Sequence, residues 1–139
     1  MSRKILYTSF NVWNKLENKN DYFTLSIAFT IPKYFTEYKY IRLIPSKELF
    51  FDTHKNGYNH KEYFEKYYLE ISKYSPEFIL NELLSLSDKQ ILLVGWEELN
   101  VFGECQFVIE WLYNCKGNGK VFALLNNMNK SQYENLFEI

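Results

Sequence analysis

The run Gln90-Ile91-Leu92-Leu93-Val94-Gly95 restricts the fold more than any other segment of this 139-residue chain. Its apolar residues are consecutive rather than alternating, so both faces of an extended segment here must be covered. That is the condition of a central strand in a parallel sheet with helices packed on it. The downstream residues suit such a sheet. Over 104–113 the apolar residues Phe107, Val108, Trp111 and Leu112 recur at helical spacing, Gly117-Asn118-Gly119 reads as a turn, and 120–125 reads as another strand. Strand, helix and strand over 90–125 form a βαβ unit, expected to be right-handed. A short terminal helix is expected over 131–137.

Upstream, Ile5-Leu6-Tyr7-Thr8 reads as a short buried strand ending at Ser9, and 23–29 as a second strand rich in aromatic and β-branched residues. Between them, the polar stretch 11–21 has room for a helical turn around Trp13 and Leu16. Pro32 and Pro45 bracket 33–44, a segment of loop or edge character that includes a short strand at 40–43. Gly57, both histidines and several Asn and Asp residues mark 52–60 as a surface loop. The period then changes. Phe64, Tyr67, Tyr68, Ile71 and Tyr74 fall on one face of a helix over 60–74, and Lys61/Glu65, Glu62/Lys66 and Lys66/Glu70 are oppositely charged i,i+4 pairs on the other. Ser75-Pro76-Glu77 restarts a helix, with the serine as cap, proline at the first position and an acid at the positive end. The fold class expected is α/β, a single compact domain with a mostly parallel small sheet flanked by helices.

Composition narrows the functional classes. Net charge is −1, so the overall field favours neither nucleic acid nor an acidic membrane surface. No stretch approaches the ~20 apolar residues of a membrane helix, and no signal peptide is expected from the N-terminal residues. Cys105 and Cys115 lie ten residues apart, about 15 Å along a helix, too far for a disulfide. Free thiols suit a reducing compartment, so a cytoplasmic location is expected, the host cytoplasm if a phage encodes the chain. The aromatic fraction of 19% implies ring-rich packing in the core or an aromatic binding surface.

Several segments taken in order resemble domain-of-unknown-function family 488 (DUF 488). They are Ile5-Leu6-Tyr7-Thr8-Ser9, Ser26-Ile27-Ala28, Leu43-Ile44-Pro45, the Tyr- and Glu-rich helix, and Leu92-Leu93-Val94-Gly95-Trp96-Glu97 followed by Glu110-Trp111-Leu112. The resemblance covers roughly residues 4–125 and implies a compact α/β fold. The chain departs from the pattern at its reactive positions. Where the family has a cysteine before the aromatic-Glu pair, this chain has Gly95. Where it has Cys-His-Arg opening the next helix, this chain reads Gly103-Glu104-Cys105. Where an arginine follows Ser-Ile-Ala, this chain has Phe29. Glycine offers no nucleophile, base or ligand, and phenylalanine turns an anion-binding spot apolar. The resemblance therefore implies a degenerate member, a scaffold without the family's thiol, imidazole and guanidinium.

The pocket candidates lie at the strand ends and the start of the following helix: Thr8, Ser9, Phe29, Gly95, Glu97, Gly103, Glu104 and Cys105. Cys105 near a helix start is either an activated thiol or an apolar filler. Glu97, Glu98 and Glu104 are either a carboxylate set for acid/base work or cation binding, or helix-entry groups. Asp52, His54 and His60 match no metal-ligand spacing, and Gly95 and Gly103 match no nucleotide-binding glycine pattern. No catalytic residue, metal or cofactor is assigned. A second set of candidates interleaves basic residues and rings: Lys33, Tyr34, Phe35, Tyr38, Lys39, Tyr40 and Arg42. It suits a protein interface, or single-stranded nucleic acid bound by charge and stacking.

The leading expectation is a non-catalytic binding protein with a protein partner, in the setting of a phage- or mobile-element-encoded inhibitor of a host defence protein. The alternatives are a nucleotide or small-molecule binder or enzyme using the strand-end pocket, and an RNA or single-stranded nucleic-acid binder using 33–47. No membrane partner is expected.

Overall fold

The computed structural model of the chain describes residues 4–57, 59–98 and 102–124. Four strands form one sheet: β1 (Leu6–Ser9), β2 (Tyr22–Ser26), β3 (Tyr38–Lys39) and β4 (Gln90–Gly95), in the order β1-β4-β2-β3. Every pairing is parallel. β4 is central, pairing Ser9 with Gly95 on one side and Ser26 with Val94 on the other. Five helices accompany the sheet: α1 (Phe10–Lys15), α2 (Lys47–Asn56), α3 (His60–Ile71), α4 (Pro76–Ser85) and α5 (Glu104–Tyr113).

The unbroken apolar run in β4 has the cause expected of it. Ile91 and Leu93 point into a large core with Ile5, Tyr7, Leu25, Tyr67, Ile71, Ile79, Leu83, Val108 and Ile109, filled from α3, α4 and α5. Leu92 and Val94 point the other way, into a smaller core with Leu6, Phe10, Trp13, Phe35 and Leu124. The two faces are unequally dressed. Most helices lie on one side, and the other is closed by α1 and the segment around Phe35.

Four expectations are corrected. The segment 52–60 is not a loop: α2 runs through it to Asn56. Ser46 caps its start, accepting from Leu49 N, and Gly57 ends it in the left-handed conformation at φ 63°. β2 stops at Ser26 rather than 29, because the Ser26 hydroxyl accepts the N–H of Ala28 at 3.1 Å and turns the chain. The strand expected at 40–43 lies earlier, at Tyr38–Lys39, and Ile41–Leu43 is a 3-10 turn. The strand expected at 120–125 is a 3-10 turn, Gly119–Phe122, followed by one parallel bridge from Ala123 to Tyr7. This stretch is held against α5, where Glu110 accepts Gly117 N at 3.1 Å and Phe122 stacks on Tyr113 at 4.6 Å. The terminal helix expected over 131–137 lies outside the described residues.

Candidate functional site

The carboxyl ends of β1 and β4 bring most of the pocket candidates together. Ser9 ends β1 and caps α1, accepting from Val12 N at 3.1 Å. Glu98 crosses to the same corner, where it accepts from Ser9 Oγ at 3.4 Å and from Asn11 Nδ2 at 2.7 Å. Thr8 is directed elsewhere, donating to Leu124 O at 2.7 Å and so fastening the last described residue to the sheet edge. Both hydroxyls are buried and committed to structural bonds.

Beyond Gly95 the chain turns back so that Glu97 lies against the entry to α5. A Cβ built on Gly103 would sit 2.7 Å from Glu97 Oε2 and 2.8 Å from both Cβ and Cδ of that glutamate. A Cβ on Gly95 would sit 3.2 Å from Cys105 Sγ. The space left by the two glycines is therefore occupied, by a carboxylate side chain at one and a sulfur at the other. Cys105 is buried, and desolvation raises its thiol pKa well above the usual value, with Glu104 and Glu97 adding to the effect. Such a sulfur packs as an apolar atom and is a poor nucleophile.

Glu97 is the carboxyl group that its surroundings alter at this corner. Burial raises its pKa to about 7, and the charge of Glu104 and a hydrogen bond to it push the same way. Glu104 in turn accepts the Tyr63 hydroxyl at 2.6 Å, linking α5 to α3. Burial and the neighbouring Glu104 hold the Tyr63 phenol well above its ordinary range, so it remains a donor. The sequence marked the glutamates but not Tyr63, which looks like any other ring on the α3 stripe.

Phe29 does not join this corner. Its ring stacks on Phe50 of α2 at 4.4 Å and meets Phe51 edge-on at 6.0 Å. Where an arginine would offer charge, there is a three-ring aromatic cluster. Trp96, half-exposed, donates its indole N–H to Thr30 O at 2.9 Å and packs edge-on to Phe10.

The basic-aromatic candidates are dispersed rather than arrayed. Phe35 and Tyr40 are buried and belong to the core, a correction to their expected exposure. Phe35 packs against Phe10 and Trp13, and Tyr40 donates to Glu82. Arg42 is held by Glu82 at 2.8 Å, with its guanidinium over the rings of Tyr74 and Phe78. Tyr38 is exposed but stacks on Phe23 at 5.3 Å, and Lys33 and Lys39 are exposed beside it. Tyr34 is half-buried against the smaller core. Among the described residues of this segment, no continuous ladder of rings is left for bases to stack on.

A feature the sequence did not single out is an apolar groove of about 930 Å³ between α3 and α5. Phe64, Tyr68, Leu69, Phe102, Phe107 and Trp111 form its floor and walls. Phe64 stacks on Phe107 at 5.0 Å and takes Phe102 edge-on at 5.0 Å, so the end of the groove is built from interlocked rings. Tyr68 and Leu69 stand out of α3, with 48% and 72% of their surfaces exposed. The helical spacing of 64 and 68 was visible, but periodicity alone does not separate a core stripe from a groove wall. Among the described residues, no group of three or more His, Cys, Asp or Glu is placed to hold a metal ion, and no helix is long and apolar enough to cross a membrane.

No family model, curated protein or solved structure matches this chain.

Proposed function

We propose that the chain is a non-catalytic binding protein whose partner is another protein, on a scaffold resembling a degenerate DUF 488 domain. The observation that supports this reading is the filled strand-end corner. Glu97 packs into the space beside Gly103, and the Cys105 sulfur packs beside Gly95. Ser9 and Thr8 spend their hydroxyls on the helix cap and the sheet edge. Ligand sites of open parallel sheets lie at such strand ends, and here that place is occupied by the chain's own side chains. Exposed rings and aliphatic side chains lie instead on the helical surface, which suits macromolecular contact. The setting we propose is a mobile genetic element, with a host defence protein as the target, by analogy with other small single-domain inhibitors.

One observation favours a second reading. A carboxyl group titrating near 7, beside a second carboxylate and a tyrosine, is the kind of group that performs acid/base work. A small-molecule enzyme using Glu97 and Glu104 would carry a ligand at the corner. The two readings separate in a thermal-shift screen with nucleotides and divalent metals, run beside affinity capture from the host. A ligand at a hundred times its dissociation constant stabilises by about 2.7 kcal/mol, a plain rise in Tm. The binding reading expects no such rise, and a captured protein that co-elutes with the chain in fixed ratio. Turnover of a nucleotide that is lost in Glu97→Gln, with no partner captured, would overturn it.

A further inference from the structure

The groove between α3 and α5 has the shape and charge of a docking site for one kind of partner. Its two walls are helices whose backbone groups are already bonded within the helix, so an extended strand laid there would find no edge to pair with. What the walls present is side chains one turn apart. Phe64, Tyr68 and Leu69 come from α3, and Phe107 and Trp111 from α5. A third helix laid along two others fills such a trough by setting its apolar ridge between theirs. The ten residues of α5 give the trough a length of about 15 Å, or about three helical turns.

The rim decides the charge of the occupant. Lys61 and Lys116 border the groove, as do Glu65 and Glu110. Glu110 is engaged inside the protein, accepting Gln106 Nε2 at 3.0 Å with one oxygen and Gly117 N at 3.1 Å with the other. Its charge is thereby turned toward the fold. Two ammonium groups against one remaining carboxylate face whatever enters.

We propose that this groove receives an amphipathic helix of a partner protein, apolar along one face and flanked by acidic residues. The proposal rests on the reading of the chain as a binding protein and adds where the partner sits and what it looks like. Charged groups along a rim select partners more than they add affinity, so the acidic flanks identify the right helix and the ring-lined trough holds it.

The test uses the full-length protein and fluorescent peptides of about three to four turns, with leucines at i, i+3, i+4 and i+7. One peptide carries flanking glutamates, a second carries lysines in their place, and a third carries the glutamates with a central proline. The glutamate peptide is expected to bind at least about tenfold more tightly than either of the others. The double variant Lys61→Glu/Lys116→Glu is expected to reverse the preference between the charged peptides, which also shows that it folds. Leu69→Asp is expected to abolish binding of all three.

Equal binding of the two charged peptides, or unimpaired binding of the proline peptide, overturns the proposal. So does sedimentation that shows a dimer dispersed by Leu69→Asp, because a second copy then fills the groove. A gain in peptide affinity in Leu136→Asp/Phe137→Asp also overturns it, since the chain's own tail is then the occupant. If none of the peptides binds while host capture succeeds, the groove assignment fails and the binding reading stands. If nucleotide turnover appears while the peptide binds, the reverse holds.

Discussion

At the scale of single residues, the two glycines at the strand ends mean different things. Gly103 has an extended backbone, φ −138°, so any residue could adopt its conformation, and what it lacks is room. An added methyl would meet Glu97 at Cβ as well as at the carboxylate, and the Cβ cannot swing aside. Gly103→Ala is therefore expected to cost about 1–3 kcal/mol in urea unfolding. Combining it with Glu97→Ala should recover most of that loss, a coupling that a double-mutant cycle measures directly. Glu97 carries its own pH signature. A carboxyl whose pKa rises on folding contributes stability that is complete below its unfolded value of about 4.3 and disappears as pH climbs through its folded value. The folded value here is about 7. Stability should thus decline between about pH 5 and pH 8, the reverse of the usual acid sensitivity of carboxylates. Because the group is partly exposed, the expected loss is about 1–2 kcal/mol rather than the full equivalent of the shift. Glu97→Gln should flatten the profile over that range; a profile of unchanged slope in the variant would assign the titration to another group.

At the scale of elements, what could be read from the sequence followed the strength of local signals. The β4 run, the Ser75-Pro76 restart and the α5 stripe each have a local cause, and each appears with the boundaries expected of it. α2 was missed although its ends were both legible, Ser46 as cap and Gly57 as stop. Its interior, with Asp52, Thr53 and Asn56, has the composition of a loop, and its helical character comes from contacts far away in sequence. Glu70 of α3 accepts both the backbone N–H and the hydroxyl of Ser46, pinning the first turn of α2 to its neighbour. Ser46→Ala removes the cap and one of these bonds, and it is expected to cost about 1–2 kcal/mol. The loss should appear in hydrogen exchange as faster opening of 47–56 than of β4; uniform acceleration across the chain would refute a local role. The candidate corner was legible in its glutamates and glycines, whose types carry the chemistry. Its bonding to Tyr63, the burial of Phe35 and Tyr40 and the exposure of Leu69 were not legible. Each depends on which helix packs where, and one periodic stripe looks the same whether it faces a sheet or a groove.

At the scale of the whole molecule, the two cysteines report on cooperativity from opposite places. Cys105 lies in the main core between β4 and the surrounding helices, with its thiol pKa raised by burial, whereas Cys115 comes just after α5, partly exposed, with a weak contact to Ile109 O at 3.8 Å. If the large and small cores on the two faces of the sheet unfold as one unit, Cys105 is reached only when β4 loses both layers. In excess aromatic disulfide reagent, one thiol is then expected to react quickly, and the other at a rate that tracks global unfolding across a urea series. The same dependence on urea for Cys105 labelling and for loss of Trp fluorescence would show the sheet and both its layers to be a single cooperative unit. Labelling of Cys105 that is fast and insensitive to urea would mean that the corner around Gly95 opens without the rest of the fold. The crevice would then be reachable by ligands, and the balance between the two functional readings would shift toward a small-molecule site.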